Sequence, residues 1–491
     1  MKKIIAAVFG LVVIFLVILG VNTAMFTSKQ DAVGSIQTID VDKNAVLERL
    51  SQALQIPTVS HQDRAKIDTA RYLEFHTFLE KNYPLVHQKL ERRVINNYSL
   101  LYKWQGNDPG LKPVVFMAHI DVVPIEPGTD SKWTYGAFSG KVADGFVWGR
   151  GAIDMKSTLI SEIEAVEELL KQDYVPKRTI YLAFGHDEEI GGENGAKKIA
   201  NFLQKHNVQI DFTVDEGMLI LNEKLSPAKR PTAIIGLAEK GYITLKLTAH
   251  AKGGHSSMPP SKTTIGILAN AIVRMEQNQM PANFAGPVEQ LFEYLGPEMP
   301  LIQKVLFANR WLFKSVIVSQ LEKIGSMNAM LRTTTAPTML SGGVKENVLP
   351  SQAYVLINFR ILPGNTPDDV VAHAKKVIAD SAVEVSIYRG RRFSPSPVSA
   401  TDNGGFKAIK QTVREIFKDT LVAPGLVIAG TDTKHFTGIS DNNYRFFPLI
   451  VGPADLKRIH GTNERIAVDN YVKMIQFYTR LIQNISDSQS L

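Results

Sequence analysis

Cysteine is absent from all 491 residues. Disulfides, thiolate zinc sites and cysteine nucleophiles are therefore excluded, and any metal ion must be held by His, Asp and Glu. Long Lys/Arg runs are missing too, as are basic patches interleaved with aromatic residues. The formal net charge of +7 and isoelectric point near 9.1 thus describe a mildly basic solvated surface, with no nucleic acid as partner. What the chain does have is length and apolar content. With 44% hydrophobic residues, 491 residues are enough for two globular domains.

The N-terminus carries Lys2-Lys3 and then an uncharged apolar run from Ile4 to about Val21. This is close to the roughly 18–20 residues that span a bilayer as a helix. The paired lysines stay in the cytoplasm, which places the body outside it. A signal peptide cleaved near Asn22-Thr23-Ala24 is the alternative, and it also exports the body. Residues 1–24 are thus expected to be an anchor or signal, and 25–43 a polar linker.

The folded body starts near Asn44. Val46, Leu47, Leu50 and Leu54 are spaced for an amphipathic helix, and a second helix is expected from about Ile67 to Glu80. A hairpin-like stretch ending at Tyr102-Lys103-Trp104 precedes Pro113-Val114-Val115-Phe116, which reads as a buried parallel strand. That strand ends in MAHIDVVP. His119 and Asp121, two residues apart on extended chain, share a face, and a carboxylate beside an imidazole fixes its tautomer and strengthens it as a metal ligand.

Further polar groups sit where apolar segments end. VWGRGAIDMKS places Asp154 in a glycine-rich turn before a helix that carries Leu159, Ile163, Val166 and Leu170 on one face. An aspartate there is also what an ordinary helix N-cap requires. The strand Thr179–Gly185 runs into His186-Asp187-Glu188-Glu189, and Ile210–Val214 runs into Asp215-Glu216. Open α/β sheets bind ligands at this edge.

The ordered set of motifs resembles the co-catalytic zinc carboxypeptidases and aminoacylases, over nearly everything from Asn44 to Ser486. EYLGPEMP, RTTTAPT and GGVKENVLP resemble the carboxypeptidase S branch in particular, which includes N-fatty-acyl-amino-acid hydrolase/synthase enzymes. The resemblance implies two Zn²⁺ per chain, with Mn²⁺ or Co²⁺ as substitutes. Asp154 would bridge them, with His119 and Asp215 completing one site and Glu189 and His460, in RIHGTNE, the other. It implies that Asp121 orients His119, that Glu188 is the general base, that His255 in KGGHSSMPP assists the oxyanion, and that Asp154-Met155 is a cis peptide. Asn347, Arg360, Gly430 and Thr431 match substrate-binding positions, and Arg360 suits bidentate contact with a carboxylate. His186, His250 and His435 are read as structural.

The fold implied is α/β. A mostly parallel mixed sheet flanked by helices forms the catalytic domain (44–239 and 394–491), and an α+β lid or dimerisation domain is inserted at 240–393. Tyr242–Leu247 alternates like a half-exposed strand, Ile265–Met280 is expected to be a helix, and Ala353–Ile361 a strand. The apolar stretch Leu291–Leu321 is read as core of an enlarged lid, or else as an acyl-chain or membrane-facing surface. Val468–Ile485 reads as a packed terminal helix.

The expected function is a membrane-anchored or secreted metallohydrolase. It would cleave the amide bond of C-terminal peptides or of N-acyl amino acids with a free carboxylate, with a homodimer formed through the lid. A metal-free scaffold on the same fold is the remaining alternative.

Overall fold

The computed structural model describes residues 1–34 and 36–487; Ser35 of the expected linker and residues 488–491 of the last expected segment lie outside it. A sheet of ten strands organises the body. Its centre is Val114–His119, apolar along its length and parallel to Ile180–Gly185 on one side and Ile210–Asp215 on the other. Every residue of the first two strands is buried, as expected when helices cover both faces. The hairpin Glu91–Ile95/Ser99–Trp104 adds antiparallel strands at one edge. Ser440–Arg445 continues the parallel register beyond Ile210–Asp215, and Thr232–Glu239 pairs in parallel with Leu421–Val427.

The expected helices form close to their expected bounds, at Lys43–Leu54, Thr69–Asn82, Lys156–Lys171 and Val468–Asp487. The terminal helix packs on Lys156–Lys171, and both contribute to the main core through Leu159, Ile163, Val166, Tyr471 and Tyr478.

A second sheet of four antiparallel strands runs in the order Thr334–Gly342, Gln352–Ile361, Gly241–His250, Val383–Phe393. Thr264–Gln277 and Pro367–Ile378 pack on it and share a separate core. The apolar stretch expected to enlarge this lid does not join that core. Of its helices, Pro287–Leu295 lies against the main sheet instead, and Leu301–Ala308 and Arg310–Leu321 pack outside it through Phe307 and Ile317. Val288, Leu291, Phe292 and Leu295 pack with Leu421, Ala423 and Leu426. The physical reason is that Leu421–Val427 is buried along its whole length and needs an apolar cover.

The N-terminal helix Lys2–Met25 is long and apolar enough to cross a membrane. The polar segment after it is no free linker. Gln30 exchanges two 2.9 Å hydrogen bonds with the backbone of Val422, and Lys410 Nζ donates to the carbonyl of Lys29 at 2.6 Å and pairs with Asp31.

Candidate active site

Three parallel strands deliver their polar termini to one place. His119 ends Val114–His119, Glu188 and Glu189 form a single helical turn after Ile180–Gly185, and Asp215-Glu216 closes Ile210–Asp215. His460 arrives from a turn in which its own φ is +60°. Asp154 is shared between the two imidazoles: His119 Nε2 is 3.1 Å from Oδ1, and His460 Nε2 is 3.0 Å from Oδ2 and 3.3 Å from Glu189 Oε2. The Asp154-Met155 peptide is cis.

His119 is buried, and its Nδ1 lies 2.8 Å from the main-chain carbonyl of Asp121. A carbonyl only accepts, so Nδ1 carries a proton. The other nitrogen, Nε2, then points a lone pair at the carboxylates of Asp154 and, at 3.5 Å, Glu216. That arrangement is repulsive unless a second proton or a cation stands between them. Burial opposes charge on His119, yet hydrogen bonds to Asp121, Asp154 and Glu216 hold its pKa well above the usual imidazole value. Hydrogen bonds to Asp154 and Glu189 likewise hold His460 up at about 10. A divalent cation would satisfy the same carboxylates in place of those protons. Two further facts fit a metal. Glu189 Oε1 is buried with no hydrogen-bond partner. Donor atoms of His119, Asp154 and Glu189, and separately of His119, Glu188 and Glu216, converge closely enough to ligate. Imidazole with carboxylate is a donor set for zinc and neighbouring divalent metals.

Asp215, expected as a ligand, is held elsewhere. Its Oδ2 accepts from the backbone N–H (3.0 Å) and hydroxyl (2.6 Å) of Thr433, and its Oδ1 from Glu216 N–H. Its neighbour Glu216 faces His119 instead, at 3.5 Å, because adjacent side chains at a strand end diverge. Asp121 also differs in detail from expectation. Its carboxylate, 3.4 Å from His119 Nδ1, accepts the backbone N–H groups of Glu188 (3.1 Å) and Glu189 (3.2 Å). It therefore fixes the glutamate turn as much as it orients the imidazole. Burial raises the pKa of Glu188 well above the carboxylate range; burial and then the Asp154 charge bring Glu216 up to about 8.

Glu464 was not singled out from the sequence, although it lies four residues beyond His460 in the same motif. Fully buried, it accepts the N–H groups of Gly151 (3.0 Å), Ile153 (2.8 Å) and Asp154 (3.0 Å), and Arg150 Nη1 at 2.5 Å. Arg150 Nη2 also donates to the carbonyl of His460. One carboxylate thus ties the Asp154 turn to the His460 turn.

A cleft of about 810 Å³ opens beside Glu188, Glu189 and His460. Its walls carry six basic residues, Lys197, Lys240, Arg360, Arg391, Arg392 and Lys434, and Gly430 also lines it. A smaller adjoining pocket of about 290 Å³ is mostly apolar, lined by Leu219, Val427, Phe447 and Ile459 together with Gly430 and Thr431. Thr431 is fixed by hydrogen bonds to Glu239.

His255 and Asn347 are not brought to this cluster within the chain. They lie side by side on the lid, where Gly254–His255 pairs with Val348–Leu349 and Ser256 N–H donates to the Asn347 carbonyl. His255 is exposed and bonded to Ser257. His186 and His435 are engaged with Ser99 and the Gly191 carbonyl, and His250 is exposed near Glu384.

The sequence pattern of the Peptidase family M20/M25/M40 matches residues 115–484. The chain is 39% identical over 485 residues to the probable carboxypeptidase S-like 2 of Dictyostelium discoideum, covering 97% of this chain and 93% of that protein. It is 40% identical over 454 residues to the N-fatty-acyl-amino acid synthase/hydrolase PM20D1 of Xenopus tropicalis, covering 92% and 87%. Among solved structures, the M20 family metallo-carboxypeptidase Sso-CP2 from Sulfolobus solfataricus superposes with a TM-score of 0.64 over 89% of this chain and 98% of that one. At 19% identity it shows the shared fold.

Proposed function

The chain belongs to the peptidase family M20/M25/M40, and from that premise we propose that it hydrolyses the amide bond of a substrate whose amino-acid part carries a free carboxylate. It is a metallohydrolase of the carboxypeptidase or N-acyl-amino-acid hydrolase kind. One observation carries the substrate reading: the cleft beside the His/Asp/Glu cluster is walled by six basic residues, Arg360 among them. A carboxylate in that cleft would be neutralised and, through a planar guanidinium, oriented. An apolar pocket beside the same cluster suits an apolar group next to the scissile bond.

We assign the metal ligands as His119, Asp154 and Glu216 for one ion, and Asp154, Glu189 and His460 for the second. Zinc held there supplies Lewis acidity, which makes water nucleophilic near neutral pH and polarises a carbonyl. The chain's own residues do the rest. Glu188 takes the proton of the attacking water and returns it to the departing nitrogen. Asp121 holds Glu188 by its backbone N–H, so that this carboxylate stays aimed at the cluster. Lys240 and Arg360 hold the substrate carboxylate, and Gly430 and Thr431 line its path. His255 donates to the developing oxyanion from a second copy of the chain, docked through the lid.

The N-terminal helix is taken as an uncleaved span with the body on the non-cytoplasmic side. Its last turns are packed on the body through Asn309, which a severed signal would leave uncovered. N-terminal sequencing of membrane-extracted protein that starts at Met1 supports this; a start after Ala24 rejects it.

The deciding assay compares release of an amino acid from a dipeptide and from an N-oleoyl amino acid, with and without chelator. Glu188→Gln should lower kcat by about a hundredfold to ten-thousandfold while metal content stays unchanged. Absence of turnover on both substrates, with less than one zinc per chain, would return the chain to the scaffold alternative, and turnover that survives both chelation and this substitution would remove the metal and Glu188 from the reaction. Preference for the oleoyl substrate would select the N-fatty-acyl-amino-acid reading over the peptide one.

A further inference from the structure

The N-terminal helix does not leave the body as a free stalk. Asn309, fully buried, accepts from Asn22 Nδ2 at 2.9 Å and donates to the Leu19 carbonyl and the Thr23 hydroxyl. Beyond the helix, Phe26 packs over Gly296, Lys29 pairs with Glu293, and Gln30 is bonded to Val422. The span is therefore fixed in direction relative to the helices Leu301–Ala308 and Arg310–Leu321.

Those two helices expose large apolar side chains that no core absorbs. Leu301, Ile302 (77% exposed), Trp311 (62% exposed), Leu312 and Val316 all face outward. The other three tryptophans, Trp104, Trp133 and Trp148, are buried. Trp311 meets Phe15 of the N-terminal helix edge-on, with ring centroids 6.4 Å apart. Phe15 lies in the middle of the apolar run. It is eight residues before Thr23, hence about 12 Å nearer the helix's N-terminus at 1.5 Å per residue. An apolar crevice lined by Leu16, Leu19, Leu301 and Val305 continues between the two elements. The apolar surface of the span thus passes without interruption onto the outward face of the helix pair.

We propose that residues 301–321 form a second membrane contact, embedded in the body-side half of the bilayer beside the N-terminal span. This rests on reading Lys2–Met25 as that span. The occupant of the apolar face is lipid, because the face is continuous with a helix that is apolar all round and reaches the same depth. Were Phe15 inside the hydrocarbon and Trp311 in water, the aromatic contact would have to cross the interface sideways. Lys304 and Lys314 on the same helices have stems long enough to reach the headgroups. The enzyme body would accordingly rest on the bilayer at a fixed tilt.

The absence of native cysteine makes the test direct. Single spin labels are placed on the full-length protein in phosphatidylcholine/phosphatidylglycerol vesicles at Val12→Cys, Ile302→Cys, Val316→Cys and, as an aqueous control, Val142→Cys. All four positions are exposed, so the fold should tolerate them. Relaxation by oxygen, which concentrates in lipid, is compared with relaxation by a water-soluble nickel chelate. The expected result is oxygen dominance at 12, 302 and 316 and nickel dominance at 142. Nickel dominance at 302 and 316 with oxygen dominance at 12 overturns the second contact and leaves the span intact. Nickel dominance at 12, 302 and 316 overturns both. Oxygen dominance at 302 and 316 alone supports the lipid contact and rejects the span.

Discussion

Asp215 and Glu216 are adjacent acids that face opposite ways. Asp215 is consumed by the Thr433 backbone and hydroxyl, whereas Glu216 stands 3.5 Å from His119. Glu216→Gln should therefore lose bound metal, read as ions per chain by mass spectrometry of the native protein, with activity falling in step. Asp215→Asn should keep the metal and destabilise the Thr433 loop by about 1–3 kcal/mol, the usual cost of a damaged buried hydrogen-bond pair. The reverse pattern would restore Asp215 as the ligand. The sequence marked this strand end as acidic but could not choose between the two, since the choice depends on a threonine 218 positions away. Lys240 makes a second case. Burial, and then Arg360, bring its pKa down to about 7, and its ammonium donates to the carbonyls of Ala329 and Arg332 at 2.8 Å. It is cationic below that value and neutral above it. Substrate KM should consequently rise by about threefold to tenfold between about pH 6 and pH 8, a change worth roughly 1 kcal/mol of screened attraction. Lys240→Gln should start from a higher KM and flatten that slope; an unchanged slope would remove Lys240 from carboxylate binding.

The turn Gly149–Asp154 and the turn carrying His460 are two elements held as one by Glu464. The carboxylate satisfies three backbone N–H groups and Arg150 in a site with no water access. Removing it leaves a buried guanidinium and three donors unpaired. Glu464→Ala should cost about 3–5 kcal/mol in chemical denaturation, and more in kcat than in KM, since the ligands move and the cation-lined wall does not. Glu464→Gln, which keeps the acceptor and loses the charge, should recover part of both. Equal loss of kcat in the two variants, with unchanged stability, would mean that Glu464 touches the chemistry directly. Elements were legible in the sequence wherever one face is apolar at a fixed period, as in Lys43–Leu54, Lys156–Lys171 and Ile180–Gly185. Where the apolar stretch Leu291–Leu321 would pack was not legible, because periodicity reports that a face is buried and not what covers it. The fully buried strand Leu421–Val427 supplied that partner from more than a hundred residues downstream.

On the scale of the whole molecule, the role proposed for His255 requires a second copy, because within the chain it stands apart from the His119–Asp154–Glu189 cluster. The family resemblance implies that His255 reaches across to a partner's cleft, as in dimeric relatives, but the sequence leaves the dimer itself open, since the lid face that would form it reads as enlarged. The lid offers a surface for pairing. Thr334–Gly342 is an edge strand with an unpaired side, and it exposes Met339 and Leu340, while Ile265 is exposed on a helix packed against the same sheet. Exposed apolar edges of this kind recruit another strand. If His255 serves the partner's cleft, each active site is composite, with Glu188 from one chain and His255 from the other. Glu188→Gln and His255→Ala would then each inactivate the homodimer. Mixed and allowed to exchange subunits in equal amounts, they form heterodimers in which one of the two sites has both residues intact. Random pairing gives up to about a quarter of wild-type activity in a symmetric dimer, appearing at the rate of subunit exchange and scaling with the heterodimer fraction. Cross-linking between lids should track the same rise. A mixture that stays as inactive as its parents while heterodimers accumulate would confine His255 to its own lid, and the oxyanion donor would then have to come from the residues around the cleft itself.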